Sequence, residues 1–311
     1  MTKPKTRRLP GTGWREDPPD PRDRTPEHEK IRELLARRGL GARLRRRKRL
    51  PARVDLRPWC PPVRFQGGFA TCAAHVVAAL LEYYEKRAFG KTVDASRLFL
   101  HKVGTTFLGE RGNVGVYIRQ TMGVLRLIGV PPERYWPYPD PGTIAKPRTA
   151  DPRLDAEPTA FCYAIADDFR AVSYYRLDSS VERTDGAAVL ERLRRHLAQG
   201  LPVAFGVPIF ESFRQTWKTG RIPFPQPGEK EIAKHAFVAV GYDDRLEIRN
   251  RARGARATTG AVLLQNSWSE QWGEKGYGWL PYDLVSNGAA RDFWTLLRAE
   301  WVDTGRFQLE L

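Results

Sequence analysis

Two hydrophobic periods divide this 311-residue chain and set what it can fold into. Between Thr71 and Lys86, Val76, Val77, Leu80, Leu81 and Tyr84 recur at helical spacing, which predicts a helix with Glu82, Glu85 and Lys86 facing out. Val116–Ile128 and Ala187–Gln199, the latter stopped by Gly200, read as further helices. Beyond Gly200 the period shortens. Pro202–Ile209, Ala236–Tyr242, Leu246–Arg249, Ala261–Asn266 and Gly278–Leu280 are short apolar or alternating runs between Gly, Pro and Asp, the pattern of strands. Helices early and strands late predict an α+β protein with two segregated lobes. With 41% hydrophobic residues the chain can bury a proper core. It contains no apolar run of about 18 residues that would span a membrane. Its start is basic but lacks the apolar stretch of a signal peptide, so a cytoplasmic location is expected, with export by another route left open.

Charge is distributed unevenly. The chain holds 52 Lys+Arg against 36 Asp+Glu, a net of +16. Residues 1–50 carry +10 of that, with 17 basic and 7 acidic residues. This stretch is expected to be an appended segment with one short helix over His28–Arg38, capped by Thr25, with Pro26 in its first turn and Gly39 ending it. The basic run Arg45–Arg49 could meet nucleic acid or an anionic membrane surface. No aromatic-interleaved platform accompanies it, so a solvated tail is the plainer reading.

Three cysteines, Cys60, Cys72 and Cys162, are too few for a disulfide-dense scaffold, and zinc-ligand spacing is absent. No metal or cofactor is called for. Cys72 follows Gln66-Gly67-Gly68-Phe69-Ala70-Thr71 and opens the first strong helix. There the macrodipole and unpaired N–H groups favour the thiolate, the nucleophilic form. The glycines let backbone approach a substrate, and Gln66 offers an amide to an oxyanion. His235 opens the Ala236–Tyr242 strand, where rigid backbone could hold a general base. Asn266 ends the Ala261–Asn266 run, placed to orient an imidazole. Trp268 follows, placed to shield that contact. A buried structural cysteine and two strand ends account for each piece alone, though less well for all three together.

Gln-Gly-x-x-x-x-Cys, His-Ala-x-x-x-x-Gly-Tyr and Asn-Ser-Trp-x-x-x-Trp-Gly-x-x-Gly-Tyr, in that order, resemble the papain family of cysteine peptidases. The resemblance begins near Leu50, where Leu50–Arg57 is similar to the family's mature N-terminus, and runs to at least Leu284. Cys60–Val63 and Gly241–Asp244 are similar to bacterial members. The resemblance implies a helical lobe, 51–160, carrying the nucleophile Cys72. It implies a β-rich, barrel-like lobe, 161–311, carrying the base His235 and its orienting residue Asn266, with a cleft between the two. It further implies Gln66 in the oxyanion hole, Trp268 over the Asn–His contact, Trp272 lining the leaving-group side and Gly115 bonding extended substrate backbone. Three departures stand out. Phe69 and Ala73 replace a disulfide cysteine and a tryptophan, and Ser269 stands where glycine is usual. The Cys–His and Cys–Asn separations, 163 and 194 residues, exceed the usual ~130–150. The surplus is expected in Pro131–Pro158 and in a loop over Asp244–Thr259.

The expected reaction is peptide hydrolysis by an ion pair of Cys72 and His235 through a thioester, on a peptide or protein substrate. Residues 1–50 precede the mature-like start, so they are expected to lie across the cleft in cis as a propeptide or autoinhibitory arm. The long-helix propeptide signature is missing. Two other classes fit the same residues: a silent papain-fold binding protein, and an acyl transferase or isopeptidase. His75, one turn after Cys72, shares its helix face and cannot serve as the base. Cys60 and Cys162 read as buried thiols, and Asp243-Asp244 as a hairpin turn.

Overall fold

A computed structural model describes residues 9–37, 39–45, 49–139, 151–169, 173–182 and 185–297. Residues 46–48 of the basic run and 140–150 of the proline-rich block lie outside them. In chain order the elements are β1 (Trp14–Arg15), α1 (Glu29–Ala36), α2 (Leu40–Arg45), β2 (Arg53–Asp55), α3 (Cys72–Phe89), α4 (Arg97–Phe107), β3 (Val116–Tyr117) and α5 (Ile118–Leu127). They continue with α6 (Pro152–Asp155), α7 (Ala160–Ala166), β4 (Ser173–Arg176), α8 (Gly186–Ala198) and β5 (Val203–Phe210). The chain then runs through β6 (Glu231–Arg249), β7 (Ala257–Gln265), β8 (Tyr277–Pro281), α9 (Tyr282–Ser286) and β9 (Arg291–Leu297). Helices precede a sheet ordered β4-β9-β5-β6-β7-β8, every neighbour antiparallel, which is an α+β fold. β2 pairs with β6, so the residues just after the basic run belong to the sheet.

Several expectations about single elements give way to tertiary context. The face of α3 expected in solvent is buried: Glu82 is 2% exposed and accepts the N–H of Ala95 at 3.0 Å. Its carboxylate faces the Arg97 guanidinium at 3.6 Å, and burial pushes its pKa up to about 7. α4, absent from the sequence reading, is buried from Arg97 to Thr105, polar Arg97, His101, Lys102 and Thr105 included. It starts at Ser96, whose hydroxyl accepts the N–H of Phe99. Ala236–Tyr242 and Leu246–Arg249 are one strand, and Asp243-Asp244 is not a hairpin turn. A bulge between Asp243 and Glu247 absorbs the polar residues, and Asp244 pairs with Arg194 at 2.7 Å. The reversal comes later, in the loop 250–256, and the residues on either side of it are ladder, with Glu247, Ile248 and Arg249 facing Thr259, Thr258 and Ala257.

The N-terminal stretch is no loose tail. Ile31, Leu35, Leu40 and Leu44 are buried in the main core, each worth about 1.5–3 kcal/mol of burial. α1 is capped by His28, whose Nδ1 accepts the N–H of Lys30, rather than by Thr25. The apolar side chains of 29–45 therefore hold this segment to the body of the protein.

Candidate active site

Cys72 is the first residue of α3, and its thiol is fully buried. The N–H groups of Ala236, Ala73, Trp14 and Cys72 itself all favour the thiolate, yet burial outweighs them and pushes the thiol up to about 12. The N–H of Ala236, the residue after His235, reaches the Cys72 sulfur, which sets the thiol against the strand that carries the imidazole. His235 sits on β6 opposite Val207. Its Nε2 donates to Asn266 Oδ1 at 2.9 Å. The amide cannot be flipped, because the N–H of Ser267 donates to the same oxygen at 2.7 Å. Nε2 therefore carries the proton, and Nδ1 is a buried nitrogen with no hydrogen-bond partner. The Trp268 indole lies 4.8 Å from the imidazole, centre to centre, and covers the Asn–His contact. Burial pulls His235 down to about 4. Burial thus disfavours both charged forms of the expected ion pair, the thiolate and the imidazolium, because each would lose its water.

Gln66 is buried beside them. Its Nε2 donates to Phe69 O at 2.7 Å, and its Oε1 accepts from Ser267 Oγ at 2.5 Å. One amide hydrogen of Gln66 is thus engaged and the second is left for a ligand. Two residues that sequence reasoning did not single out hold this loop. Asn113 accepts the N–H of Ala70 at 2.6 Å and donates to Gly68 O at 3.2 Å. Tyr138 donates to Gln66 O at 2.9 Å and meets Thr71 Oγ1 at 2.7 Å. Both come from loops distant in sequence, and no local pattern marks them. Phe69 is fully buried with Leu98 and Leu154 against Tyr138, so an apolar anchor stands in the place of the family's cysteine. Ser269 has φ 64°, which explains the usual glycine there.

The remaining residues sort plainly. Trp272, expected on the cleft wall, is fully buried behind Trp268 and donates to Thr216 Oγ1 at 3.0 Å. The half-buried indole stacked on Trp268 is Trp217, 6.1 Å away. His75 takes no part: its Nδ1 meets Thr71 O at 3.0 Å, and its ring packs on Tyr138. Cys60 and Cys162 are buried free thiols, and burial pushes Cys60 up to about 12. Among the described residues no His, Cys, Asp and Glu gather as metal ligands, and no helix is long and apolar enough to cross a membrane.

Residues 9–17 run over this site. Gly11 donates its N–H to Gly67 O at 2.7 Å and accepts from Trp268 Nε1 at 3.2 Å. Gly13 donates to Lys234 O at 3.1 Å. Glycine is required here, since a Cβ on Gly11 would stand 2.0 Å from Phe69 O and one on Gly13 2.6 Å from Ala70 Cβ. On the other bank Trp14 and Arg15 pair in parallel with Val116 and Tyr117, and a Cβ on Gly115 would meet Gly13 O at 1.9 Å. Arg15 also forks onto Glu110 at 2.6 and 2.7 Å. Beyond Trp14 the segment enters a buried ionic cluster. Asp23 meets Arg176 at 2.7 Å and Arg119 at 3.0 Å, and Asp17 accepts Trp294 Nε1 at 2.7 Å.

A buried cysteine at a helix N-terminus, beside a strand-borne imidazole tied to an asparagine in an α+β fold, is the arrangement of a thiol protease. Residues 50–287 match the papain family cysteine protease, and the chain belongs to that family. Xylellain, a cysteine protease from Xylella fastidiosa, is 29% identical and superposes with a TM-score of 0.69 over 96% of this chain and 99% of that one. An uncharacterized peptidase C1-like protein of Acanthamoeba polyphaga mimivirus is 28% identical over 74% of this chain and 68% of its own. Cysteine proteinase 3 of Solanum lycopersicum is 25% identical, and the matched region spans about half of it (51%). Digestive procathepsin L 3 of Tenebrio molitor shares the fold, at TM-score 0.55 and 19% identity over 80% of this chain and 70% of that one.

Proposed function

We propose that the chain is a cysteine endopeptidase acting through Cys72, His235 and Asn266, held latent by its own residues 9–17. The observation carrying the chemistry is the His235–Asn266 bond, which fixes the proton on Nε2 and leaves Nδ1 free to take the Cys72 proton. The thiolate then attacks a peptide carbonyl. The free Gln66 amide hydrogen and an N-terminal N–H of α3 receive the oxyanion, one such donor being worth about 3–4 kcal/mol. His235 protonates the leaving amine, and water cleaves the thioester.

Latency is supported by the segment over the site and by the burial it gives the site, which disfavours the charged forms of both thiol and imidazole. Family members whose names carry "procathepsin" share the fold, in keeping with such a form. The apolar side chains of 29–45 imply that 9–17 lifts while the helices behind it stay seated. The reading is tested on the full chain with a fluorogenic peptide panel, alone and with Trp14→Ala to loosen the segment. Hydrolysis released by Trp14→Ala and abolished by adding Cys72→Ala is expected. Hydrolysis that survives Cys72→Ala, or none in any variant, overturns it.

A further inference from the structure

A crevice lies between α3, which lines it with His75, Ala79 and Glu82, and the strands β6 and β7, with Pro61, Pro62 and Arg64 along a third side. It leaves about 20 Å³ for the centre of a water molecule, just above the ~10–15 Å³ that one water needs. Most of its polar lining is engaged. Glu82 faces Arg97 and accepts the N–H of Ala95, Gln265 Nε2 donates to Pro61 O at 2.9 Å, and Ser267 Oγ donates to Gln66. Three buried nitrogens have no partner among the described residues: His75 Nε2, Asn266 Nδ2 and Arg64 Nε. Their residues all line this crevice, and the His75 and Asn266 side chains are more than nine-tenths buried.

The neighbours settle where the hydrogens are. His75 Nδ1 meets the Thr71 carbonyl at 3.0 Å, and a carbonyl only accepts, so Nδ1 carries a proton. Burial, with Arg97 close by, pushes His75 well below the ordinary imidazole range, so Nε2 keeps a bare lone pair. Asn266 Oδ1 is held by His235 Nε2 and the N–H of Ser267, so Nδ2 presents its two hydrogens elsewhere. One space therefore joins an acceptor on α3 to a donor on the asparagine that orients His235.

Resting on the peptidase reading above, we propose that His75 is a positioning residue that acts on Asn266 through one water held in this crevice. The water accepts from Asn266 Nδ2 and Arg64 Nε and donates to His75 Nε2. His75, idle as a base, then ends a chain of donors that all point one way. His235 Nε2–H donates to Asn266 Oδ1, Asn266 Nδ2–H to the water, the water to His75 Nε2, and His75 Nδ1–H to Thr71 O. Hydrogen bonds in line polarise one another, so the chain strengthens Asn266 as an acceptor when His235 takes the Cys72 proton. It closes on Thr71, the residue before the nucleophile, and so ties the imidazole and the start of α3 to one network.

Two measurements on the full chain test this. A crystal structure of the parent should show an ordered water within hydrogen-bond distance of both His75 Nε2 and Asn266 Nδ2. The second is kinetic, with a fluorogenic peptide and the Trp14→Ala chain. His75→Phe, which keeps a ring against Tyr138, should lower kcat about tenfold, the loss of one bridged bond. KM should stay within about twofold, because the bond serves the transition state. His75→Gln, whose amide oxygen can stand in for Nε2, should stay within about threefold of its parent in kcat. With Asn266→Ala added, His75→Phe should cost less than about twofold, since the residue it acts through is gone. His75→Leu repeats the comparison if the phenylalanine chain does not fold. A crevice with no water touching both nitrogens overturns the proposal. So does an equal loss for Phe and Gln, or a loss that persists in full beside Asn266→Ala. No hydrolysis by any chain, with the bridging water in place, refutes the peptidase reading and supports the bridge.

Discussion

Trp14→Ala removes the largest side chain that residues 9–17 bury, 3% exposed over Gly206. Truncating a buried tryptophan costs about 3–5 kcal/mol. The cost falls on the seated state alone, because a lifted segment leaves Trp14 in water. The equilibrium between seated and lifted forms then shifts by about a hundredfold to a few thousandfold, at 1.4 kcal/mol per factor of ten. Alkylation of Cys72 needs the lifted form, so its rate rises by the same factor until lifting is no longer limiting. The assay is iodoacetamide labelling of the full chain at neutral pH, read on the peptide containing Cys72. Labelling of Cys60 and Cys162 in the same digest is the internal control, since both are buried away from the segment and need a larger opening. A Cys72 rate within threefold of the parent would refute the reasoning, as would a rise shared equally by all three thiols.

Docking of residues 9–17 should weaken as pH rises. Burial pushes Asp17 up to about 6 from an ordinary 3.8, so its protonated form prefers the seated state. Seating is strongest below about pH 4 and declines as pH climbs through 6, with Asp292, Asp23, Arg176 and Arg119 as the charged neighbours. The ratio of Cys72 labelling in the parent to that in Asp17→Asn, followed from pH 5 to 8, should rise toward a limit of about a hundredfold. Gly206→Ala drives a methyl into the Trp14 ring and should speed Cys72 labelling as Trp14→Ala does; an unchanged rate would show that the ring does not need that space. Asn266→Ala in the Trp14→Ala background removes a bond worth about 1.5–3 kcal/mol if it reaches its full strength on the imidazolium. Peptide hydrolysis should fall about ten- to a hundredfold with KM little changed, and kinetics at saturating peptide check this.

Much of the site was legible because its chemistry is tied to local signals. Cys72 at the start of an apolar helix and Asn266 just past the end of an apolar strand sit where secondary structure alone predicts them, whereas His235 lies inside β6 rather than at its start, because the polar and mixed residues Glu231–Lys234 already pair with β5. What could not be read is what depends on the far side of the fold. Asn113 and Tyr138 clamp the 66–72 loop from sequence-distant turns. Trp272 belongs to the Asn-Ser-Trp motif by its spacing yet lies under Trp268 rather than on the cleft wall. α4 buries Arg97, His101 and Lys102, and α3 buries Glu82, so residue polarity does not foretell which positions face the interior. The strong positive charge of residues 1–50 suggested a solvated segment, but its few apolar residues, Trp14, Ile31, Leu35, Leu40 and Leu44, decide its place. The carboxylates Asp17 and Asp23 within it meet buried arginine and indole partners rather than water.

The central claim is that Cys72 is the nucleophile of a peptidase restrained by the chain's own residues 9–17. Its most direct test is the hydrolysis rate of a fluorogenic peptide by three full-length proteins: the parent, Trp14→Ala, and Trp14→Ala with Cys72→Ala. A slow parent, a Trp14→Ala chain faster by about a hundredfold or more, and a silent double variant are predicted. Equal rates in the first two would contradict the restraint, and hydrolysis by the third would contradict the nucleophile.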